Sequence, residues 1–127
     1  MEAKLEAILD FEKNPIDESL KKLGILYSIV LKKYKTALYE LNKLEADLSE
    51  RYAERYSYYK CDYDFQLTNA EIKAFIENDI ETKELRLKIK NTQADINVLE
   101  KHLKNIEQTR WDIKTLIDFK KLERVVI

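Results

Sequence analysis

The chain has 127 residues but only one glycine, one proline, one cysteine and one histidine. A single glycine excludes a phosphate-cradling loop and a dinucleotide-binding fingerprint, since both motifs need several glycines. The one cysteine, Cys61, excludes an internal disulfide and suits a reducing cytoplasm. Cys61 and His102 also lack any metal-binding spacing, so we expect no metal, no cofactor and no catalytic residue.

Long apolar runs and an excess of one charge are missing too. The most apolar stretch, residues 23–31, contains Ser28 and is far shorter than the roughly 20 residues of a membrane span. The 23 Lys and Arg residues nearly balance the 24 Asp and Glu residues, which leaves a formal net charge of -1. Binding to a polyanion would therefore need a local cluster of cations. We expect a soluble, cytoplasmic protein that makes no contact with a membrane.

Charged residues (37%) and apolar residues (45%) are abundant instead, and few turn residues separate them. This composition is typical of long helices and coiled coils. Apolar residues recur in steps of three and four and predict a coiled-coil seam. The first seam consists of Leu20, Leu23, Tyr27, Val30, Tyr34, Ala37, Leu41, Leu44 and Leu48. The next seam position is Arg51, where the heptad register ends.

We predict a single all-α domain over residues 1–127. It begins with a short helix over residues 1–13, which Asn14-Pro15 ends because the residue before a proline is disfavoured in a helix. A long helix follows over residues 17–59. A second long helix, whole or broken, is predicted over residues 68–124. Two long helices joined by a short connection predict an antiparallel, coiled-coil-like hairpin.

The second long helix has its own start signal and seam. Thr68-Asn69-Ala70-Glu71 is a capping box, after which Ile72, Phe75 and Ile76 are expected to face inward. Asn78-Asp79 marks a predicted interruption. The second seam consists of Leu85, Ile89, Thr92, Ile96, Leu99, Leu103 and Ile106, extended by Arg110, Ile113 and Ile117.

Between the two helices, apolar and polar residues alternate from Tyr59 to Leu67. Period two predicts an extended or β segment near residues 59–67, with residues 60–67 as the connection. No other segment of the sequence has the alternating pattern of a partner strand. The segment is therefore either an extended loop or a strand that pairs with the same strand of a neighbouring subunit.

Aromatic and basic residues are concentrated just before and within this connection. Tyr58 and Tyr59 could stack on unpaired bases while Arg51, Arg55 and Lys60 contact phosphates, which is the general scheme for binding single strands. Alternatively, the tyrosines simply pack the tip of the hairpin. Residues 50–64 hold four acidic residues against those three cations, so one subunit would bind weakly and a multivalent assembly far better.

Apolar residues outside the seams predict self-association, because a lone pair of helices leaves them uncovered. The residues that we assign to oligomerisation are Tyr63, Phe65, Trp111, Ile113, Leu116 and Ile117.

Several short segments, taken in order, resemble the UvsY-type recombination mediator proteins of tailed bacteriophages over roughly residues 16–124. They are Leu26-Tyr27-Ser28, Leu44-Glu45-Ala46, Arg55-x-x-Tyr58-Tyr59, Glu71-Ile72-Lys73 with Asp79, and Trp111-x-Ile113-Lys114. The resemblance implies a homo-oligomeric ring that binds single-stranded DNA. It also implies that the ring loads a RecA-like recombinase onto strands covered by single-strand DNA-binding protein, in the host bacterial cytoplasm if the chain is phage-encoded.

Within the family's DNA-binding segment, the arginine and the two tyrosines fall on Arg55, Tyr58 and Tyr59. The family's lysine falls on Ala53, and Arg51 is the candidate to replace it. The alternative to a mediator is a coiled-coil scaffold or a prefoldin-like holdase with no role in nucleic-acid binding.

Overall fold

The computed structural model describes residues 3–5 and 16–126, with side chains described as far as residue 122. The described part of the chain is almost entirely helical, which confirms the all-α class. Helix α1 spans Ile16–Ser57 and runs into a π-helical turn, Tyr58–Asp62; helix α2 spans Asn69–Glu77 and helix α3 spans Ile80–Val126. Residues 3–5 are helical, but the rest of the predicted N-terminal helix, with Asn14-Pro15, lies outside the described residues.

Both predicted seams are confirmed by burial, since each of their residues is buried or half-buried. The start of α1 carries Asp17 and Glu18 in its first turn, where negative charge favours the exposed N–H groups of a helix. No helix within the described ranges is long and apolar enough to cross a membrane.

The chain divides into two compact units, and α1 and α3 contribute to both. Unit 1 comprises Met1–Lys35 and Asn97–Ile127, and unit 2 comprises Thr36–Ile96.

Unit 1 is held by apolar packing between the two long helices. Its buried core consists of Leu23, Leu26, Val30, Ile106 and Ile113. Two tyrosines flank this core: the Tyr27 hydroxyl donates to Glu107 Oε1 at 3.0 Å, and the Tyr34 hydroxyl donates to Glu100 Oε1 at 3.1 Å. Tyr27 contacts the later residue Glu107, whereas Tyr34, further along α1, contacts the earlier residue Glu100. The two helices are therefore antiparallel within unit 1.

Unit 2 packs α2 and the start of α3 against the second half of α1. Its buried side chains are Leu44, Ile72, Ile76, Thr82 and Ile96. The predicted capping box is present, because the Thr68 hydroxyl accepts from the Glu71 backbone N–H at 3.2 Å and the Glu71 carboxylate accepts from the Thr68 N–H at 3.2 Å. The predicted interruption at Asn78-Asp79 is also confirmed, since α2 ends at Glu77 and α3 begins at Ile80.

The connection between α1 and α2 differs from the prediction. Residues 59–62, predicted as extended or β, belong to the π-helical turn, and residues 63–68 form bends and irregular structure. The described residues contain no strand. The physical reason is aromatic packing: the turn brings the Tyr59 and Tyr63 rings to 5.4 Å from each other and packs both against Phe75 of α2. In a strand these two residues would share a face but lie about 13 Å apart along the chain, too far for their rings to touch.

Candidate nucleic-acid interface

Five aromatic rings of unit 2 form a continuous group, here called the ring cluster. Its members are Tyr58, Tyr59, Tyr63, Phe65 and Phe75. Tyr59 lies nearly parallel to Phe75, with ring centroids 5.4 Å apart and planes 21° apart. Tyr63 is tilted against both Phe75 and Phe65, at 6.0 Å from each. Centroid separations in this range are those of attractive aromatic pairs.

The π-helical turn builds the cluster from residues close in sequence. The Tyr63 N–H donates to the Tyr58 carbonyl at 3.0 Å, across one residue more than an α-helical bond spans. The widened turn brings Tyr58, Tyr59 and Tyr63 to the same side of the backbone, where each ring contacts the other two.

Arg55 lies against the ring cluster without an acidic partner. The carbon at the centre of its guanidinium is 4.7 Å from the Tyr58 ring centroid and 4.9 Å from that of Tyr59, within cation–π range. One guanidinium nitrogen donates to the Tyr59 hydroxyl at 3.0 Å, which raises the pKa of Arg55. Among the described residues no carboxylate pairs with Arg55, and its buried Nε atom has no hydrogen-bond partner. No ion pair therefore compensates the charge of Arg55, and Asp79 acts on it only by electrostatic attraction without direct contact.

Arg51, one turn earlier on α1, is bound by two carboxylates. Its Nε and one terminal nitrogen donate to Asp79 Oδ2 at 3.2 and 2.9 Å, and its other terminal nitrogen lies 2.9 Å from Glu81 Oε2. Burial tends to raise the pKa of Asp79, but hydrogen bonds from Arg51 and Thr82 outweigh it and hold the pKa below its ordinary value of 3.8. Arg51 thus ties α1 to the start of α3, and two acidic groups already compensate its charge.

Lys60 is exposed, and its Nζ atom lies 5.5 Å from the centroid of the Tyr56 ring. The Tyr56 hydroxyl donates to Asn69 Oδ1 at 2.9 Å and so links the end of α1 to the start of α2. Lys60 and Arg55 are the two predicted DNA-binding cations that the structure leaves without an ion pair among the described side chains.

The rings differ in exposure, which decides what each can do. Tyr59 and Tyr63 are half-buried in the middle of the ring cluster, whereas Tyr58, Phe75 and Phe65 are 40%, 42% and 70% exposed. The sequence predicts that Ile72, Phe75 and Ile76 face inward. The prediction is confirmed for the two buried isoleucines and is wrong for the exposed Phe75. Phe75 lies at the edge of the apolar stripe of α2, where Tyr59 rather than the core covers it.

The predicted oligomerisation residues divide into two groups. Within unit 1, Ile113 is buried in the core and Ile117 packs against it, so the fold of the chain itself uses both side chains. Trp111, Leu116 and Phe65 are exposed, at 67%, 37% and 70%. Tyr63 belongs to the middle of the ring cluster.

The single cysteine and the single histidine lie far apart along the chain. No cluster of three or more His, Cys, Asp and Glu side chains that could hold a metal is found in residues 3–5 and 16–122. Cys61 is exposed at the π-helical turn, and His102 is half-buried on α3.

Comparisons with known proteins give one family match and one fold match. The sequence model of the family described as "Recombination, repair and ssDNA binding protein UvsY" matches residues 6–125. A search of curated proteins finds no significant match. Among solved structures, the crystal structure of the bacteriophage T4 recombination mediator protein UvsY is similar, with a TM-score of 0.76, over 97% of this chain and 94% of that chain. The two chains share 17% sequence identity, so this likeness concerns the fold.

Proposed function

The chain belongs to the UvsY family, and on that premise we propose that it is a recombination mediator. It binds single-stranded DNA and promotes loading of a RecA-like recombinase onto strands covered by single-strand DNA-binding protein. The observation that carries the DNA-binding part is the unpaired Arg55 guanidinium beside exposed aromatic rings in unit 2. Cations and exposed aromatic rings are the two components of single-strand binding sites.

In this proposal Arg55 contacts phosphate, and Lys60 supports it. The Nε donor of Arg55 is unsatisfied in its present position, and a phosphate oxygen would satisfy it. Tyr58 is exposed enough to meet a base, whereas the half-buried Tyr59 holds the platform.

Arg51 has a different role in the proposal from the one that the sequence suggested. Bound to Asp79 and Glu81, it does not replace the missing family lysine as a phosphate contact. It fixes the junction of α2 and α3 against α1. The fixed junction in turn holds α2, so that Phe75 stays packed on Tyr59.

We further propose that the chain forms an antiparallel hairpin that assembles into a homo-oligomeric ring. The exposed Trp111 and Leu116, with Phe119 and Leu122 on the same helix, are large apolar side chains that a second copy would cover. A ring repeats the weak site of one chain and raises its effective concentration along a strand.

The mechanism needs no bond-making step. The ring wraps or bends the strand, weakens the hold of the covering protein, and presents the strand to the recombinase. Every interaction in this scheme is electrostatic, stacking or steric.

The test of this proposal is the binding of labelled single-stranded oligonucleotide to wild type, Arg55→Ala and Arg55→Lys across a salt series. Loss of one phosphate contact should lower the affinity and reduce the salt slope by about 0.7 per contact. Arg55→Lys keeps the charge and should keep the slope. The matched control is Lys43→Ala, since Lys43 is an exposed cation of unit 2 outside the ring cluster. Equal affinities and slopes for wild type and Arg55→Ala would remove Arg55 from the interface.

A prefoldin-like holdase is the second candidate, favoured by the exposed Phe65, which could contact an unfolded chain. The two candidates differ in what accompanies the purified protein. Nucleic acid that high salt removes favours the mediator, and salt-insensitive binding of unfolded polypeptide favours the holdase.

A further inference from the structure

The ring cluster presents three partly exposed rings from three different parts of unit 2. Tyr58 comes from the π-helical turn, Phe65 from the connection that follows it, and Phe75 from the last turn of α2. Tyr58 is the only one of the three that the arginine–tyrosine motif includes. Phe65 and Phe75 therefore add aromatic surface that the motif does not account for.

Each of these three rings packs against at least one other ring of the ring cluster. Phe75 has one neighbour, Tyr59, in near-parallel contact, and Tyr63 lies tilted between Phe75 and Phe65. Ile72 and Ile76, on either side of Phe75 along α2, are fully buried and fix the helix that carries it. A ring held in this way loses little conformational freedom when a ligand stacks on it.

The charges around the rings favour contact with bases over contact with phosphates alone. Residues 50–64 include Glu50, Glu54, Asp62 and Asp64, while Arg51 is already bound by carboxylates outside this segment. Within residues 50–64, Arg55 and Lys60 remain to attract a phosphate backbone. The electrostatic part of single-strand binding is therefore weak in one chain, and stacking, which does not depend on net charge, has to supply the rest.

We propose that Phe75 and Phe65, together with Tyr58, form a platform on which unpaired bases stack, and that this stacking adds to the attraction of Arg55 and Lys60 for the phosphate backbone. The inference rests on the proposed binding of single-stranded DNA and specifies its chemistry. The ligand is recognised by its exposed base faces, so a duplex, whose bases are stacked internally, is a poor ligand for the platform. Phe75 and Phe65 act in binding only.

The test compares two labelled strands of equal length, one with thymine bases and one with abasic sugars throughout. Anisotropy titrations with each strand are made for wild type, Phe75→Leu and Phe75→Ala. Phe75→Leu keeps an apolar side chain against Tyr59 but removes the ring face, so its effect is separable from loss of folding. The matched control is Tyr39→Ala, since Tyr39 is an aromatic of unit 2, 72% exposed and outside the ring cluster.

We expect wild type to bind the thymine strand more tightly than the abasic strand. Both Phe75 variants should bind the thymine strand about tenfold more weakly, with the salt slope and the abasic affinity unchanged. Tyr39→Ala should match wild type on both strands.

Three results would overturn the inference, and they are distinguishable. Equal binding of the two strands by wild type would exclude stacking and leave single-strand binding intact. Binding of neither strand would remove the proposed function as well. A change in native mass for Phe75→Leu, without a selective loss of thymine-strand affinity, would identify the rings as a contact between subunits.

Discussion

At the scale of residues, two arginines one helical turn apart have different roles. Arg51 is bound by Asp79 and Glu81, whereas Arg55 lies on tyrosine rings without an acidic partner among the described residues. The sequence predicted both arginines as DNA contacts and could not show that one of them is ion-paired, because Asp79 is 28 positions from Arg51 along the chain. The ion pairs of Arg51 are tertiary contacts with Asp79 and Glu81, and the residue types next to Arg51 in the sequence do not reveal them.

Phe75 illustrates a second limit of sequence reasoning at this scale. Ile72, Phe75 and Ile76 all fit one apolar stripe of α2, and the pattern is correct for the two isoleucines. It does not distinguish a ring at the edge of a stripe from one at its centre. The excess of aromatics just before α2 was the available signal, since rings at the edge of a helix tend to pack on other rings.

The Arg51–Asp79 pair makes a testable contribution to stability. Their side chains are only 24% and 18% exposed, so removing one partner leaves a partly buried charge. We expect Asp79→Asn, which keeps the shape and the helix cap, to lower the free energy of unfolding at pH 7 by about 1–3 kcal/mol. Urea denaturation followed by circular dichroism measures this. Removing the exposed Arg86–Glu77 pair by Arg86→Met should change little.

The same pair predicts a pH dependence. Because folding lowers the pKa of Asp79 below its ordinary value of 3.8, its contribution is fully present above that value and is lost as pH falls through the lower pKa of the folded state. The destabilisation by Asp79→Asn should therefore shrink as pH is lowered below about 4. A difference between the two proteins that stayed constant from pH 7 to pH 2 would contradict this assignment.

At the scale of elements, periodic and capping signals were reliable. Both seams, the capping box at Thr68 and the break at Asn78-Asp79 were predicted from local pattern, and the structure contains all of them. The π-helical turn was not predicted. Alternation from Tyr59 to Leu67 fits a strand, and it does not reveal that Tyr59 and Tyr63 pack on Phe75, which lies further along the chain.

The capping box of α2 can be tested by a single change. Thr68→Ala removes the hydroxyl that accepts from the Glu71 N–H, and we expect it to lower the free energy of unfolding by about 1 kcal/mol. Thr68→Ser keeps the hydroxyl and should stay close to wild type. Thermal denaturation of the three proteins makes the comparison, and equal midpoints would contradict a stabilising cap.

At the scale of the whole molecule, one chain holds few free cations at its candidate site. Arg55 and Lys60 must act beside four carboxylates in residues 50–64, so a single chain should bind a strand weakly. Exposed apolar side chains of unit 1, Trp111 among them, offer a way for copies to associate. Self-association stays a prediction from the apolar residues outside the seams, and the number of copies depends on packing angles that no local pattern encodes.

Binding of single-stranded DNA by several associated copies of this chain is tested most directly by native mass spectrometry, with and without an oligonucleotide. We predict a discrete multimer of the 15.2 kDa chain that gains the mass of bound oligonucleotide. A monomer whose mass stays the same when oligonucleotide is added would contradict both the assembly and the binding.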